Sequence, residues 1–533
     1  MGSATSIVFL AISQKTLNYT EHGGIPAFPC FTFAGKQGSF SLPRADSTMY
    51  LVTIGLEVHC QVNTRTKMFC ACATSFGDEP NVNICPTCLG LPGALPVLNQ
   101  VAIEKTILTG MMLGCTTPPI SKWDRKNYFY PDMPKNYQTT QMDLPLCIGG
   151  AVPLYDHCYP SDAQKSIQRP NQVIRLNRIH LEEDVAKSTH LGTSSLIDFN
   201  RAGTPLMEIV SEPDLESAEE AFTYLRTLQM ILQQGGVSDA DMEKGQMRCD
   251  VNISLRRNAS DPLGAKVELK NLNSTSAVRR AILFEIERQT EELNAGIPQI
   301  QSTRRWDDDR GETQMMRTKE DAHDYRYFPC PDLLPLDTIN IVDRMKQVVP
   351  ELPHDRAARY QREFSLTLYD ANVLSSDLHL ARYFEATLDA AIPAKKTANF
   401  LINNLLGTIN ERNIPIEDCS VTPQRMRGLL ALVENGTLAA NQAREVLIAM
   451  LDVPEKSAAE IADELGYKPT DTGALDELCE QIIAEFPDKV AEIQAGNDRI
   501  LNFLTGQVMK SAPSKPNPKM VTDVLRAKIL PDG

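Results

Sequence analysis

The chain has 533 residues, of which 42% are hydrophobic and 23% charged, and its formal net charge at pH 7 is −15. This length predicts two to four domains, because a single hydrophobic core stops growing near roughly 250–300 residues. The acidic balance excludes a protein that coats nucleic acid indiscriminately, although it leaves room for a local basic patch. No apolar run in the sequence approaches the roughly 20 residues that span a bilayer, so we expect no membrane partner.

The first 48 residues have the composition of an organelle-targeting segment. They hold eleven Ser or Thr but only two acids, Glu21 and Asp46. An acid-poor, hydroxyl-rich N-terminus is typical of a mitochondrial or chloroplast transit peptide. A disordered tail, or a start codon assigned too far upstream, explains the same composition. We therefore expect residues 1–48 to be a transit or disordered segment and folded sequence to begin near Tyr50.

The first folded segment, YLVTIGLEVHCQV from Tyr50, alternates apolar and polar positions and predicts a half-buried strand. Glu57 and His59 are two residues apart on it and therefore project from one face. They are either part of a polar outer face or a pair of ligands at the edge of a cleft.

Four of the thirteen cysteines form two close pairs, Cys70 with Cys72 and Cys85 with Cys88, with twelve residues between the pairs. Four thiolates can converge on one tetrahedral zinc ion, and because Cys fills every position we expect a structural site without an open position. Unligated thiols in a tight turn are the alternative. The odd total number of cysteines fits reduced thiols better than a disulfide framework.

A basic and aromatic run, RKNYFYPDMPKNYQ, follows at residues 125–138. Its aromatic rings offer stacking faces for unpaired bases, and its cations suit phosphate. Aromatic strand residues in a core are the other interpretation, but two prolines favour a shaped loop. The run interleaves the cations Arg125, Lys126 and Lys135 with aromatic residues that include Tyr128.

From Ile174 onward, acids lie on segments with a strand pattern. IRLNRIHLEED, SSLIDFN and PLMEIV predict strands, as do MRCDVNISLRR and AKVELKNLNS, which carry Asp250 and Glu268. Helices are predicted at Gln100–Leu113, at Ser276–Leu293 and in SAEEAFTYLRTLQMILQQG, where Ser217 and Glu220 match a capping box. After Pro350 the pattern is helical throughout, and the final forty residues carry six Lys or Arg against three Asp. That excess permits phosphate contacts but is also common on a solvated helical surface.

Four acids come from separate segments: Glu57, Glu183, Asp250 and Glu268. If the strands form one sheet, these carboxylates meet at one end of it, and their repulsion calls for a cation. Mg²⁺ takes one or two carboxylates plus water and phosphate oxygens, which suits ATP. Ordinary surface acids are the competing interpretation. The sequence has no GxxxxGK[ST], GxGxxG, GxSxG or HExxH motif, so P-loop, dinucleotide-binding and common hydrolase classes have no support.

From about Tyr50 to the C-terminus the chain resembles the family of aspartyl/glutamyl-tRNA(Asn/Gln) amidotransferase B subunits. The resemblance rests on many blocks in one order, namely IGLEVHCQVNT, FCACATSFG, NICPTCLGLPGALPVLN, DRKNYFYPDMPKNYQTTQ, HLEED, IDFNRAGTPLMEIVSEPD, MRCDVNISL, ELKNLNS, DYRYFP and FLTGQVMK. The family departs from this chain at HLEEDVAK, where Ala-Gly is usual instead of Val185 and Ala186, and at Cys330, where Glu is usual.

The resemblance implies an ATP-dependent carbon–nitrogen ligase, a glutaminyl-tRNA synthase (glutamine-hydrolysing). Proteins of this family would phosphorylate the side-chain carboxylate of misacylated Glu-tRNA(Gln) or Asp-tRNA(Asn). Ammonia from a glutaminase partner, the A subunit, would then displace the phosphate, and a small C subunit would complete a heterotrimer. The family also implies a mitochondrial or plastid location for members with an N-terminal extension.

By matching motifs, the resemblance assigns catalysis and Mg²⁺ binding to Glu57, His59, Glu183, Asp250 and Glu268, and structural zinc to Cys70, Cys72, Cys85 and Cys88. It also implies that the substrate-binding residues Arg125, Lys126, Tyr128 and Lys135 line the cleft that receives the aminoacylated end of the tRNA. It implies an α+β fold: a cradle-type α/β catalytic domain with a mixed sheet and a zinc knuckle (residues 49–345, knuckle 70–88), an all-helical domain (346–435) and a small helical tail domain that contacts tRNA (436–533). Two rival functions remain, a non-catalytic tRNA-binding scaffold and a free-standing ATP-dependent amide ligase for a small carboxylate.

Overall fold

The computed structural model describes residues 50–318, 325–467, 472–494, 498–512 and 516–530. The chain divides into two compact units, residues 1–350 and 351–533. The predicted transit segment, residues 1–48, lies outside the described residues. Across the described residues, every helix is too short or too polar to cross a bilayer.

The described part of the first unit is rich in strands. In chain order they are β1 (Leu51–Gln61), β2 (Ile120–Ser121), β3 (Asp124–Asn127), β4 (Tyr137–Thr140), β5 (Cys147–Ile148), β6 (Ala151–Pro153), β7 (Val173–Glu183), β8 (Lys187–Leu191), β9 (Ser194–Asp198), β10 (Pro205–Ser211), β11 (Met247–Arg256), β12 (Val267–Lys270), β13 (Ser302–Asp307), β14 (Glu312–Thr318), β15 (Phe328–Pro329) and β16 (Leu336–Asp337). The predicted strands of the acid-bearing segments are confirmed.

A nine-stranded sheet forms the body of this unit, with the order β14-β13-β12-β11-β1-β10-β7-β5 and with β6 also paired to β7. The pair β12–β13 is parallel, whereas β1 is antiparallel to both β10 and β11. The predicted α+β class with a mixed sheet is therefore confirmed. The long strand β1 lies in the middle of the sheet, which allows it to carry residues of a site formed by several strands.

The two faces of β1 differ in polarity. Ile54, Leu56 and Val58 are at most 1% exposed, while Glu57 and His59 on the opposite face are only partly covered. This alternation follows the two-residue period of a strand, which sends successive side chains to opposite faces. The apolar positions supply core and leave the polar face of the sheet available for a site.

Four helices accompany the sheet: α1 (Gln100–Met112), α2 (Ala218–Gln234), α3 (Thr275–Asn294) and α4 (Ile339–Met345). Helices α2 and α3 pack against each other, α3 contacts β11, and α1 contacts β7. At the start of α2 the Ser217 hydroxyl accepts the Glu220 backbone N–H at 3.1 Å, as the predicted cap requires. In a capping box the Glu220 carboxylate would accept the backbone N–H of Ser217. It accepts the backbone N–H of Glu216 instead, and it pairs with Arg169.

A separate three-stranded sheet, in the order β15-β3-β4, carries the basic and aromatic run. Strand β3 pairs with both neighbours in antiparallel fashion, and Arg125 is the register partner of Phe328 and Thr139. The connection between β3 and β4 contains both prolines of the run, so the predicted shaped loop is confirmed. We call this feature the basic hairpin (residues 124–140).

The second unit is helical, as predicted. Its helices are α5 (Pro353–Phe364), α6 (Leu368–Ser375), α7 (Leu378–Thr387), α8 (Ala394–Phe400), a π-helical turn (Leu401–Leu406), α9 (Gly407–Glu411), α10 (Pro423–Glu434), α11 (Ala440–Asp452), α12 (Ala458–Glu464), α13 (Thr472–Glu485), α14 (Pro487–Gln494), α15 (Leu501–Ser511) and α16 (Pro518–Ile529).

The described residues of this unit form two hydrophobic cores. One includes residues from Ala357 to Tyr467, and the other residues from Leu475 to Ile529. The family resemblance implies a boundary between residues 435 and 436, which stays a prediction. Helices α11 and α12 pack in the first core because their apolar residues contact α10.

Candidate metal and substrate site

Two acid clusters lie on the polar face of the nine-stranded sheet, and each contains one residue of β1. Glu57 is the register partner of Asp250 on β11, and His59 is the register partner of Glu208 on β10. Glu57 and His59 face the same side because they are two residues apart on one strand. The central strand therefore connects the two clusters.

The first cluster consists of Glu57, Asp250 and Glu268, whose carboxylate oxygens lie within 4.8 Å of one another. The Lys270 ammonium donates to Asp250 and, at 3.1 Å, to Glu268. Burial raises the pKa of Glu268, but Lys270 and the Thr303 hydroxyl outweigh burial, so the pKa lies below its usual value. All three acids were predicted from the sequence, and the structure brings them together.

The donor set of the first cluster fits a divalent cation. Asn252 donates from Nδ2 to Glu57 at 3.0 Å and so fixes the orientation of that carboxylate. The Oδ1 atom of the same amide is buried and, among the described residues, has no hydrogen-bond donor. A buried amide oxygen next to Glu57, together with the carboxylates of the cluster, resembles the all-oxygen surroundings that Mg²⁺ and Ca²⁺ prefer.

The second cluster consists of His59, Glu182 and Glu208, whose ligand atoms also lie within 4.8 Å of one another. His59 Nε2 is 3.2 Å from Glu208 and 4.0 Å from Glu182. Behind them, His180 Nε2 lies 3.3 Å from Glu208. Burial lowers the pKa of His180, but Glu208 and Glu182 more than offset burial and raise it to about 9.

Glu183, which was predicted from the sequence as a Mg²⁺ ligand, is not in either cluster. Its side chain pairs with the Lys135 ammonium and accepts the Thr139 backbone N–H at 2.8 Å. Both members of the Glu183–Lys135 pair are buried, at 3% and 8% side-chain exposure. The expected position of Glu183 beside Glu57 is therefore corrected.

The physical reason is the two-residue period of β7. Ile179 and Leu181 are fully buried, and Glu183 continues the same alternation. His180 and Glu182 occupy the intervening positions and face His59 and Glu208 instead. Of the two adjacent acids in HLEED, the one on the polar face of the sheet is Glu182.

The basic hairpin lies near both clusters. The Lys126 ammonium is 4.8 Å from the centroid of the Tyr325 ring. Burial lowers the pKa of Lys126, but Glu182 and Glu208 are near enough to raise it overall. Tyr128 interacts electrostatically with Lys270 of the first cluster, and burial raises the pKa of Tyr128 to about 12. Two of the four predicted substrate-binding residues thus lie beside the acids.

The other two predicted substrate-binding residues have internal partners. The Arg125 guanidinium lies 4.2 Å from the centroid of the Tyr137 ring and pairs with Asp332. Lys135 pairs with Glu183 and also lies over the Tyr137 ring, at 5.0 Å. These contacts hold the hairpin against the unit, so Arg125 and Lys135 contribute to its position.

Aromatic rings at the tip of the hairpin are open to solvent. Phe129 is 64% exposed and Tyr130 48% exposed. The Tyr130 ring stacks on Tyr128 at 4.9 Å and 15°, and Arg326 lies 5.8 Å from the Phe129 centroid. Exposed rings beside cations are the surfaces on which single-stranded nucleic acid stacks.

The four predicted zinc ligands converge. The Sγ atoms of Cys70, Cys72, Cys85 and Cys88 lie within 4.8 Å of one another, and none of these cysteines forms a disulfide. Zn–S bonds of about 2.3 Å imply tetrahedron edges of about 3.8 Å, so four sulfur atoms this close together fit the size of a zinc site. Hydrogen bonding from the Cys70 thiol is the largest cause that lowers the pKa of Cys88, to about 4.

Four residues of the candidate site were missed in the sequence: His180, Glu182, Glu208 and Lys270. Each lies on a strand whose apolar residues alternate with it, such as Met207 and Ile209 around Glu208. That alternation is visible in the sequence and would have separated the polar-face acids from the buried ones. The sequence does not show which strands pair with β1 in the sheet.

Comparisons with known proteins show to which family the chain belongs. Residues 52–342 match the family model described as the GatB/GatE catalytic domain, and residues 382–529 match the one described as the GatB domain. A protein of Methylacidiphilum infernorum, named as the B subunit of an aspartyl/glutamyl-tRNA(Asn/Gln) amidotransferase, is 48% identical over 91% of this chain and all of its own length. Relatives of the same name from Persephonella marina and Opitutus terrae are 45% and 46% identical over 89% and 90% of this chain and 98% of their own.

The first match places the chain among the proteins with a GatB/GatE catalytic domain, and the acid clusters lie within that matched region. Within this class, the chain belongs to the family of aspartyl/glutamyl-tRNA(Asn/Gln) amidotransferase B subunits.

Proposed function

We propose that this protein is the synthetic subunit of a tRNA-dependent amidotransferase, acting as a glutaminyl-tRNA synthase (glutamine-hydrolysing). It transfers the γ-phosphoryl group of ATP to the side-chain carboxylate of misacylated Glu-tRNA(Gln) or Asp-tRNA(Asn), releasing ADP. Ammonia attacks the resulting acyl phosphate, and phosphate and a proton leave as the amide forms. Beside family membership, the observation that carries the proposal is the pair of acid clusters next to the basic hairpin.

Mg²⁺ would be held by Glu57, Asp250 and Glu268 in the first cluster and by His59, Glu182 and Glu208 in the second. When bound there, such an ion would supply positive charge that neutralises phosphate during phosphoryl transfer. The protein's own groups do the positioning, because Asn252 orients Glu57 and the Lys126 ammonium offers a charge to the phosphates.

The basic hairpin would receive the aminoacylated end of the tRNA. Tyr128 lies between the first cluster and the exposed ring of Tyr130, so a base stacked at the tip would bring its ester-linked amino acid toward the acids. Arg125 and Lys135 would support the hairpin from below, through Tyr137 and Glu183. Glu183 is thereby a positioning residue in this proposal.

The other assigned components follow from the family and from composition. The four-cysteine knuckle would hold a structural zinc ion, a glutaminase partner (the A subunit) would supply ammonia, and a small C subunit would complete the heterotrimer. The basic C-terminal residues, 494–533, would contact the body of the tRNA. The acid-poor residues 1–48 would direct the protein to a mitochondrion or a plastid.

The test is an amidation assay with radiolabelled Glu-tRNA(Gln), ATP, Mg²⁺ and ammonium chloride, using the protein together with its glutaminase and small partners. Labelled glutamine is expected after deacylation, and it should disappear when ATP is omitted. If it forms from free glutamate without tRNA, the protein is an amide ligase for a small carboxylate.

The scaffold alternative gives a different result with variants of the first cluster. Asp250→Asn should abolish tRNA-dependent ATP hydrolysis if the acids are catalytic. If the variant hydrolyses ATP and forms amide at the wild-type rate, the acids serve only to shape a cleft and the catalytic proposal is overturned.

A further inference from the structure

Lys67 is a buried lysine beside the cysteine cluster. Its residue is 1% exposed, and its Nζ donates to the backbone carbonyls of Asn83 at 2.7 Å and Phe199 at 3.1 Å. The ammonium group also donates a third hydrogen bond, to Cys88 Sγ at 3.7 Å. Among the described residues, no Asp or Glu forms an ion pair with Lys67.

A buried ammonium ion with no carboxylate partner is costly, because carbonyl dipoles replace only part of the lost hydration. Within the described parts of the chain, the group in contact with Lys67 that can carry negative charge is the Cys88 thiol. Four thiolates around Zn²⁺ carry a net charge of −2, which an adjacent ammonium reduces to −1.

We infer that Lys67 is the counter-cation of a metal-bound tetrathiolate and that it sets the metal affinity of the knuckle through Cys88. The inference rests on the proposed zinc site. Lys67 is a positioning residue, since it acts on the metal through a ligand.

The packing of the lysine stem connects the knuckle to the acid-bearing strands. A Cβ added at Gly203, whose φ is +88°, would lie 3.4 Å from Lys67 Cδ and 3.6 Å from Cys88 Cβ. The Gly203 carbonyl accepts the Met68 N–H at 2.7 Å, and its own N–H donates to the Asp184 carbonyl at 2.9 Å. Loss of the metal or of Lys67 should therefore loosen the segment that follows Glu182 and Glu183.

Metal affinity of the Lys67→Met variant tests the inference directly. Zinc binding by the full chain is measured by competition with a chromophoric chelator, and cobalt binding by the thiolate-to-metal absorption bands. We expect affinity to fall by roughly 10- to 100-fold, the usual effect of removing a residue that contacts a metal ligand. The matched control is Lys105→Met, because Lys105 also donates to two backbone carbonyls, those of Asn63 and Gly236, but does not contact the knuckle. The control should bind metal as the wild type does.

A stability cycle gives a second measurement whose sign depends on the inference. In the zinc-loaded wild type, Lys67→Met should lower the Tm, because the tetrathiolate loses its counter-charge. In a Cys85→Ser, Cys88→Ser background without metal, the same substitution should raise the Tm, because it removes an uncompensated buried charge. A Lys67→Met protein that folds only in the serine background supports the inference, and failure to fold in both backgrounds overturns it.

The outcomes separate this inference from the proposed function. Wild-type protein that binds neither zinc nor cobalt overturns the zinc site and the role of Lys67 together. If the wild type binds metal and Lys67→Met binds it equally well, or shifts the Tm in the same direction in both backgrounds, the role of Lys67 alone is overturned. The amidation assay does not enter either measurement.

Discussion

Glu57 and Asp250 are register partners on adjacent antiparallel strands, so two carboxylates face each other in the middle of a sheet. Like charges placed directly opposite each other destabilise a strand pair. In the structure, the Lys270 ammonium offsets this repulsion from the side of Asp250. A divalent cation bound between the two carboxylates would offset the same repulsion.

The first prediction concerns catalysis by this pair. Asp250→Asn removes one negative charge at nearly constant shape, and amidation should fall by at least about 100-fold because phosphate charge is no longer neutralised. Manganese binding, measured by electron paramagnetic resonance, should weaken in parallel. Asp261→Asn, in a loop where Asp261 accepts from Asn258, is the control and should change neither quantity. Equal activity of the two variants would contradict the assignment.

The second prediction distinguishes the adjacent acids Glu182 and Glu183. Glu182→Gln should weaken divalent-cation binding, because Glu182 lies in the second cluster. Glu183→Gln should leave cation binding intact but reduce the free energy of unfolding by about 3–5 kcal/mol, since the buried Lys135 charge loses its partner. Cation titration and chemical denaturation of both variants check this, and the opposite assignment of effects would refute the placement.

The third prediction is a pH-dependent loss of stability at Asp184. Burial raises the pKa of this carboxyl, but Arg248 and Arg201 outweigh burial and hold it below its usual value. The ionised group is 1% exposed and bonds Arg248 at 2.8 Å, so Asp184→Asn should cost about 3–5 kcal/mol at neutral pH. Asp162→Asn, at a solvent-exposed carboxylate that pairs with Arg279, should cost little.

The difference between wild type and Asp184→Asn should be constant above about pH 5, because Asp184 is ionised in both folded and unfolded chains there. It should shrink as pH falls below the unfolded pKa of about 3.9 and vanish below the folded pKa. Thermal unfolding at several pH values measures this. A difference that grows on acidification would show that the carboxylate is not stabilised by its arginines.

The fourth prediction concerns the exposed ring of Phe129. Phe129→Ala should weaken binding of tRNA by about 1–3 kcal/mol per lost stacked base while leaving divalent-cation binding unchanged. Phe76→Ala is the matched control, since Phe76 is 75% exposed but lies within the cysteine loop. Filter binding with uncharged tRNA measures both. Equal losses in the two variants would argue against a stacking site at the hairpin tip.

The sequence predicts the fold well because hydrophobic periodicity is strong in the elements that build it. The alternation in β1 and the apolar stripe of α2 leave little choice of structure. The boundary inside the helical unit is harder to predict, because the helices on both sides of residue 435 are amphipathic and the sequence does not say which apolar faces meet.

The site was predicted in part. Glu57, Asp250 and Glu268 converge as expected, because they lie at nearby positions of three adjacent strands. The sequence-based prediction misplaced Glu183 because two adjacent acids do not show which of them lies on the polar face of the strand. The face is shown by Ile179 and Leu181, which are buried and lie at every second position before Glu183. Glu208 could be recognised only when β10 was known to pair with β1, which is a tertiary fact.

The location of Glu57 and His59 on a single strand has a geometric consequence. The Cα atoms of two residues at positions i and i+2 of an extended strand lie about 7 Å apart. Because β1 is hydrogen-bonded to a neighbouring strand on each side, the spacing between Glu57 and His59 is fixed. This Cα–Cα spacing is longer than the roughly 3.5–4 Å that separates the two ions of a two-metal site. Cations bound in the two clusters would therefore contact different parts of a substrate. Deleting the single residue between Glu57 and His59 would turn one of these two side chains toward the hydrophobic core.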